Sequence, residues 1–283
     1  MITLKAYAKI NLGLRILRKQ EDGYHDIETL LHRIDLLDEI CLEPAPTISL
    51  TCQKPDLPTD GRNLCVRAAQ ILQQEVKIKA GVHITLKKKI PIGAGLGGGS
   101  SDAASTLLGL IKLWLLDLPH ATLHSLALQL GSDVPYFLSL GTAYATGRGE
   151  KLECFHLNIP YWIVLVYPNL RISTRWAYQN IQISNLKSQI SIKQLLLENL
   201  NNPRRLITLL PNDFESLVLR THEPVARVKQ ALYVAGAEFA QMSGSGSAVY
   251  GFFSNERYAR EAAEELRKHY PVFITRPHFQ PEP

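Results

Sequence analysis

PIGAGLGGGSSDAAS, residues 91–105, joins a glycine-dense run to a stretch of small residues. Five of the seven positions from Gly93 to Gly99 are glycine, and serines and alanines follow. Upstream, GVHITLKKKI (81–90) predicts a strand. Downstream, Ala104, Leu107, Leu108, Ile111 and Leu115 share one face of a helix that starts at Ser100. A strand, a glycine turn and a helix start gather several backbone N–H groups at one point, with the positive end of the helix dipole behind them. Such a site binds phosphate, because the dipole end is equivalent to about half a positive charge and the free amides meet anionic oxygens. Glycine permits the close approach and the positive φ angles. The basic run Lys87-Lys88-Lys89 leads into the turn. A flexible surface loop is the alternative, but it would rarely sit between a clear strand and a clear helix.

Two familiar phosphate sites do not fit. No Lys-Ser or Lys-Thr follows the glycines, so the Walker pattern is absent. Gly93, Gly95 and Gly98 satisfy G-x-G-x-x-G, but a dinucleotide fold then needs a second strand with an acidic residue about 20 positions on. Asp117 lies instead in LWLLDLPHATLHSL, which passes from helix to helix. His120 and His124 have the spacing of a metal pair, yet HATLH lacks a zincin's glutamate and any evident third ligand. They read as surface helix histidines.

Around this stretch lies an ordinary soluble composition. The chain has 283 residues, 46% of them hydrophobic, a formal charge of +5 and four cysteines without CxxC spacing. Neither a zinc cage nor a disulfide framework is suggested, and reduced thiols in a cytoplasmic protein are expected. Met1 leads directly into the charged, alternating MITLKAYAK, which has no signal-peptide character. No apolar run approaches the ~20 residues of a membrane span; WIVLVY reads as a buried strand. The mild positive charge suits an anionic small molecule, and dispersed basic residues without a recognised motif argue against a nucleic-acid-binding module.

Along the chain, Ile2, Leu4, Ala6, Ala8, Ile10, Leu12, Leu14 and Ile16 alternate with Thr3, Lys5, Tyr7, Lys9, Asn11 and Arg15, the pattern of a half-buried strand. Asp22-Gly23 marks a turn into a further strand, YHDIETLLHRIDLLDEICLE. GRNLCVRAAQILQQEV reads as a helix, and another carries Leu123, Leu126, Ala127 and Leu130 before Gly131 stops it. A strand in LNIPYWIVLVYPNL begins a second half, which continues as helical and loop segments, the helix EPVARVKQALYVAGA, the strand SAVYGFF, the helix NERYAREAAEELRKHY and the strand PVFITRPH. The expectation is an α+β, two-domain protein with domains 1–157 and 158–283.

On these residues a resemblance can be stated. PIGAGLGGGSSDAAS resembles the P-x₃-G-L-G-S/G-S-S loop of the galactokinase, homoserine kinase, mevalonate kinase and phosphomevalonate kinase superfamily. AYAKINLGLRIL followed by DGYHDIETL is similar to one branch, the 4-diphosphocytidyl-2-C-methyl-D-erythritol kinases of non-mevalonate isoprenoid synthesis. LGSDVPYFL and MSGSGSAVYG match that branch's remaining blocks in the right order. The resemblance spans residue 6 to about 252. It implies an ATP-binding N-terminal domain, a substrate-binding C-terminal domain and an active site in the cleft between them.

It also implies roles. Pro91, Gly93, Ala94, Gly95, Leu96, Gly97, Gly98, Gly99, Ser100 and Ser101 would cradle ATP, with Asn63 and Lys88 on the adenosine side. Magnesium would accompany ATP, and since the sequence has no dense carboxylate cluster, triphosphate oxygens and water would supply most ligands. Lys9 and Asp133 would be catalytic and Asn11 substrate-binding. Alternation alone leaves Lys9 and Asn11 on a solvated strand face, and Asp133 equally suits the N-cap of a turn around Pro135. For the cytidine diphosphate-linked methylerythritol acceptor, Tyr24 would stack on the base, His25 bond its edge, and Tyr178 supply a second stacking ring. Gly244 and Gly246 would approach the substrate phosphates, although their turn also reads as a simple hairpin. The expected state is a monomer or weak homodimer.

Overall fold

The computed structural model describes residues 1–182 and 190–282. In chain order come β1 (Ile2–Lys19), β2 (His25–Ala45), β3 (Ile48–Cys52), α1 (Leu64–Val76), β4 (Gly81–Lys87), α2 (Gly98–Leu113) and α3 (His120–Leu130), followed by a 3₁₀ turn, Pro135–Leu138. Next are β5 (Thr142–Gly147), β6 (Lys151–Phe155), β7 (Trp162–Val166), α4 (Thr174–Asn180), α5 (Ile192–Asn199), α6 (Pro203–Leu209) and α7 (Asp213–Thr221). The chain closes with α8 (Glu223–Val234), β8 (Phe239–Met242), β9 (Val249–Phe253), α9 (Glu256–Arg267) and β10 (Val272–Thr275).

Two compact units emerge, and they interleave along the sequence. The first comprises Met1–Ala8, Leu37–Ile90 and Gly97–Leu140; the second comprises Lys9–Leu36, Pro91–Leu96 and Gly141–Pro283. They do not follow a single cut after residue 157. The reason is covalent: β1, β2 and the glycine stretch each contribute residues to both units, so hydrophobic spacing along the chain cannot reveal the division.

In the first unit, the later half of β2 pairs antiparallel with β4, from Glu39↔Lys87 to Ala45↔Gly81, and β3 runs parallel to β4. The helices bury their apolar stripes, Cys65, Ala68, Ala69 and Leu72 on α1 and Ala103, Ala104, Leu107 and Leu110 on α2. Fully burying each leucine is worth roughly 1.5–3 kcal/mol. Gly109 lets α2 lie close to its neighbours, since a Cβ there would sit 2.5 Å from methyl carbons of both Leu4 and Leu42.

In the second unit, the first half of β2 pairs with β5, and β5 with β6, both antiparallel. A separate sheet has the order β10-β7-β9-β8, all antiparallel. Its core gathers Val164, Val166 and Val249 with Val228 and Leu232 of α8 and Ala259, Ala263 and Leu266 of α9.

One local expectation fails informatively. Alternation makes β1 half-buried, but residues 6–14 are buried on both faces. Lys9 and Asn11 are 5% and 3% exposed. Their polar groups are met by hydrogen bonds instead of water, which makes burial affordable.

Candidate active site

The glycine stretch runs from the second unit, through Leu96, into the first at Gly97. Gly93, Gly95 and Gly97 have φ of +66°, +78° and +67°, in the left-handed region where a side chain is strained. At Gly95 the crowding comes from the protein itself: a Cβ would lie 2.1 Å from the Ser243 carbonyl oxygen and 3.1 Å from that of Gly246. At Gly98 it would lie 2.8 Å from Ile90 Cγ2 and 2.9 Å from Lys88 Nζ. Gly99 differs. It is exposed, and a Cβ there would meet only Leu64 Cδ1 at 3.5 Å, an ordinary contact. Packing therefore demands Gly95 and Gly98, whereas Gly99 is open to solvent.

Gly97 caps α2 without a side-chain hydrogen bond, so no capping side chain satisfies the first-turn amides. Ser100 is half-buried and Ser101 buried in that turn. Within the second unit, carbonyls of the loop anchor it to its surroundings. Gly93 O accepts from Ile172 N (3.3 Å), Ala94 O from Ala248 N (3.1 Å) and Leu96 O from Lys9 N (3.0 Å). Pro91 is half-buried beside them in sequence.

The Lys9 ammonium donates to Asn11 Oδ1 at 2.7 Å and to the Gly95 carbonyl at 3.2 Å. Asn11 Nδ2 in turn donates to Thr29 Oγ1 at 2.9 Å, and Thr29 to the Gly13 carbonyl. Ser243 Oγ accepts from Asn11 N (3.1 Å) and donates to Gly95 O (2.9 Å), so one hydroxyl joins β1 to the glycine loop. Gly244 (φ +56°) packs beside Asn11, where a Cβ would come 2.8 Å from Oδ1. Gly246 (φ +91°) is confined by Met242 Sδ. Asn212 holds this second turn through the Met242 and Gly244 carbonyls, at 2.7 and 3.0 Å. Asn11 is thus a support for Lys9, and Gly244 and Gly246 are packed by protein atoms.

Asp133 is half-buried between α3 and the 3₁₀ turn. Val134 holds the N-cap position of that turn, one residue after Asp133. The two side chains expected near adenosine are engaged within the first unit. Asn63 caps α1, accepting from Cys65 N at 2.9 Å and donating to the Pro58 carbonyl at 2.8 Å. Lys88, 4% exposed in its side chain, is bound by Asp38 and Asp102, so its ammonium is not presented to a ligand.

In the second unit, His25 and Tyr178 stack with ring centroids 4.9 Å apart, and Tyr178 meets Phe214 edge-on. Their separation of over 150 positions in sequence is closed by the fold. Burial, helped by Lys19, lowers the His25 pKa, favouring a neutral ring that both donates and accepts. Tyr24 is 57% exposed and carries the Arg148 guanidinium 4.1 Å above its ring, with Arg148 also paired to Asp22. Sequence reasoning missed Ser243, Asn212, Thr29 and Arg148. Ser243 lies inside MSGSGSAVYG and Thr29 inside DGYHDIETL, whereas Asn212 and Arg148 lie in no quoted motif.

Among the described residues, no group of three or more His, Cys, Asp or Glu side chains is placed to hold a metal ion. No helix among them is long and apolar enough to cross a membrane.

Comparison with known proteins gives two family matches: GHMP kinases N terminal domain over residues 63–141 and GHMP kinases C terminal over residues 191–272. A 4-diphosphocytidyl-2-C-methyl-D-erythritol kinase from Chlorobium phaeobacteroides is 46% identical over 280 residues, covering 98% of each chain. A crystal structure of a 4-(cytidine 5'-diphospho)-2C-methyl-D-erythritol kinase is 35% identical, with a TM-score of 0.82 and coverage of 97% of this chain and 98% of that one. A homoserine kinase from Cytophaga hutchinsonii shares the fold at 18% identity, with a TM-score of 0.70 and 97% and 95% coverage. Matched in both halves by the GHMP kinases and nearly end to end by these relatives, the chain belongs to the 4-diphosphocytidyl-2-C-methyl-D-erythritol kinase family.

Proposed function

We propose that this chain transfers the γ-phosphoryl group of ATP to the C2 hydroxyl of 4-diphosphocytidyl-2-C-methyl-D-erythritol. The observation that carries the reading is the buried Lys9 ammonium, tied both to Asn11 and to the carbonyl of Gly95 in the glycine loop. A cation held so firmly needs no reorganisation when charge develops beside it. The acceptor follows from the names of the relatives.

In this mechanism the uncapped amides at the start of α2 hold nucleotide phosphates, and Gly99 leaves them room. Asp133 orients the C2 hydroxyl and accepts its proton. The hydroxyl oxygen bonds to the γ-phosphorus as the bond to the bridging oxygen breaks and ADP departs. Lys9 balances charge at the reacting oxygens. Because phosphoryl transfer is largely dissociative, positioning and charge neutralisation contribute more than proton abstraction. Magnesium bound with ATP supplies further charge neutralisation; with no acidic cluster among the described residues, nucleotide oxygens, water and the Ser100 hydroxyl suit it as ligands. His25, Tyr24 and Tyr178 hold the cytosine. The reading calls for a cytoplasmic monomer or weak homodimer acting on a small molecule.

An ADP-release assay comparing the cytidyl acceptor with mevalonate, homoserine and galactose tests this. Turnover confined to the cytidyl acceptor is expected; equal or greater activity on any of the other three would overturn the acceptor assignment.

A further inference from the structure

Three buried charges flank the glycine stretch in the first unit and take no part in the chemistry above. Lys88 follows β4 on the arm that enters the stretch, Asp102 lies in the opening turns of α2 on the arm that leaves it, and Asp38 sits on β2. Each side chain is at most 5% exposed. Lys88 Nζ donates to Asp38 Oδ2 and, at 2.8 Å, to Asp102 Oδ2. Asp38 Oδ1 also accepts the backbone N–H groups of Lys89 and Ile90, the second at 2.9 Å. Both Asp38 oxygens are thus in use, whereas Asp102 Oδ1 is buried with no hydrogen-bond partner. The Lys88 ammonium also packs against Gly98, which is why a Cβ there would lie 2.9 Å from it.

One cation stands between two carboxylates. With both ionised, the cluster would bury an uncompensated negative charge, an unfavourable state that protonating one carboxyl relieves. The proton belongs on Asp102, since Asp38 accepts at both oxygens. In agreement, burial, opposed by Lys88 and reinforced by Asp38, pushes the Asp102 carboxyl up to about 8. Burial also weighs on the Lys88 ammonium, but Asp102 and Asp38 outweigh it and hold its pKa above the usual lysine value. The neighbouring Cys65 thiol on α1 is pushed far up by burial and stays neutral.

We propose that the Asp38–Lys88–Asp102 triad is a positioning clamp that fixes both arms of the glycine stretch and so sets the affinity for the nucleotide's phosphates. It touches no reacting atom. Asp102 acts in it as a neutral partner of Lys88, and the proposal rests on the phosphate-binding reading of the stretch.

The test compares ADP binding by calorimetry, and KM for ATP and kcat, in the wild type, Asp102→Asn, Asp102→Ala and Asp38→Asn. Asn reproduces the shape of a neutral carboxylic acid, so Asp102→Asn should keep ADP affinity and KM within about twofold, while Asp102→Ala should weaken both at least about tenfold with kcat altered less than about threefold. Asp38→Asn, which leaves Lys88 without its ionised partner, should also weaken ADP binding. Unchanged ADP affinity in Asp102→Ala or Asp38→Asn, or an Asp102→Asn as weak as the alanine variant, would overturn the clamp. Should Asp102→Ala fail to fold, ¹³C-carboxyl spectra decide: the aspartate resonance missing from Asp102→Asn should stand at the protonated position at pH 6.5, and the ionised position would overturn the proposal. Wild-type protein that binds neither ADP nor ATP would instead overturn the phosphate-binding reading.

Discussion

The Lys9 ammonium rests 2.7 Å from the Asn11 side-chain oxygen, on the face of β1 that its alternating pattern would give to solvent. Asn11 is itself fixed by Thr29 and Ser243, so the position of Lys9 is set by a buried network. Lys9→Met should lower kcat at least about 100-fold with ATP affinity largely kept, as loss of a preorganised charge-stabilising group does. Asn11→Ala should act through Lys9, lowering kcat about tenfold and costing about 1–3 kcal/mol of stability through the unpaired groups left behind. Steady-state kinetics with denaturant unfolding checks both; a wild-type kcat in Lys9→Met would remove it from the chemistry.

The glycines divide by what crowds them. Gly95→Ala puts a methyl 2.1 Å from a carbonyl oxygen and should destabilise the fold severely, whereas a Cβ at Gly99 would meet only a side-chain methyl. The folded Gly99→Val variant should bind ATP at least about tenfold more weakly, because its side chain fills space beside the helix-start amides. Calorimetry on the folded variant decides, and unchanged ATP affinity would mean that the phosphates lie elsewhere.

Aromatic contacts of bases are worth about 1–3 kcal/mol each. Tyr24→Ala and Tyr178→Ala should each weaken acceptor binding by that amount and leave ATP affinity alone. Arg148, stacked on Tyr24 and exposed to solvent, should matter less: a cation–π contact there contributes about 0.5–1 kcal/mol, so Arg148→Ala should weaken acceptor binding only a few-fold. Titration with the acceptor separates the three.

Stability should fall with rising pH over a defined window. The folded-state pKa of Asp102 is raised to about 8, so its contribution is complete in acid and is lost as pH climbs from the ordinary aspartate range through that value. His32 works in the opposite sense: burial lowers it from 6.5 to about 4, so its contribution is present above pH 6.5 and lost toward pH 4. The two oppose each other below pH 6.5, and from there to about 8 Asp102 remains. The wild type should lose up to about 1.4 kcal/mol per pH unit in that interval, and Asp102→Asn should be flat. Thermal melts at closely spaced pH values measure the slope; parallel curves would contradict an elevated Asp102.

How much of this was legible beforehand depended on whether the signal was local. The strand, glycine turn and helix start around residues 91–105 announce themselves through spacing, although α2 runs from Gly98 to Leu113 and leaves Leu115 of the expected apolar face outside it, 92% exposed. The stacking of His25 on Tyr178 is signalled neither by periodicity nor by the resemblance, which implies only that each meets the base. Asp38 could not be found: it sits in RIDLLDEI as one acid among several, and only folding places it against Lys88 and the Ile90 amide. The glycine density was read as room for a ligand alone. At Gly95 and Gly98 that room is taken by Ser243, Ile90 and Lys88. The interleaved units were likewise invisible, since long strands carry no mark where they pass from one unit to the other.

Asp133→Asn separates a catalytic carboxylate from a structural one. Asn is nearly isosteric with Asp and caps turns equally well, so Asp133→Asn should leave the melting temperature unchanged. An amide cannot accept the hydroxyl proton, and loss of a positioned base costs about 10²–10⁴-fold in rate. Single-turnover transfer from ATP to the cytidyl acceptor, measured alongside the affinities for both substrates, should fall at least about 100-fold with those affinities intact. Transfer at close to the wild-type rate in the folded variant would contradict the account.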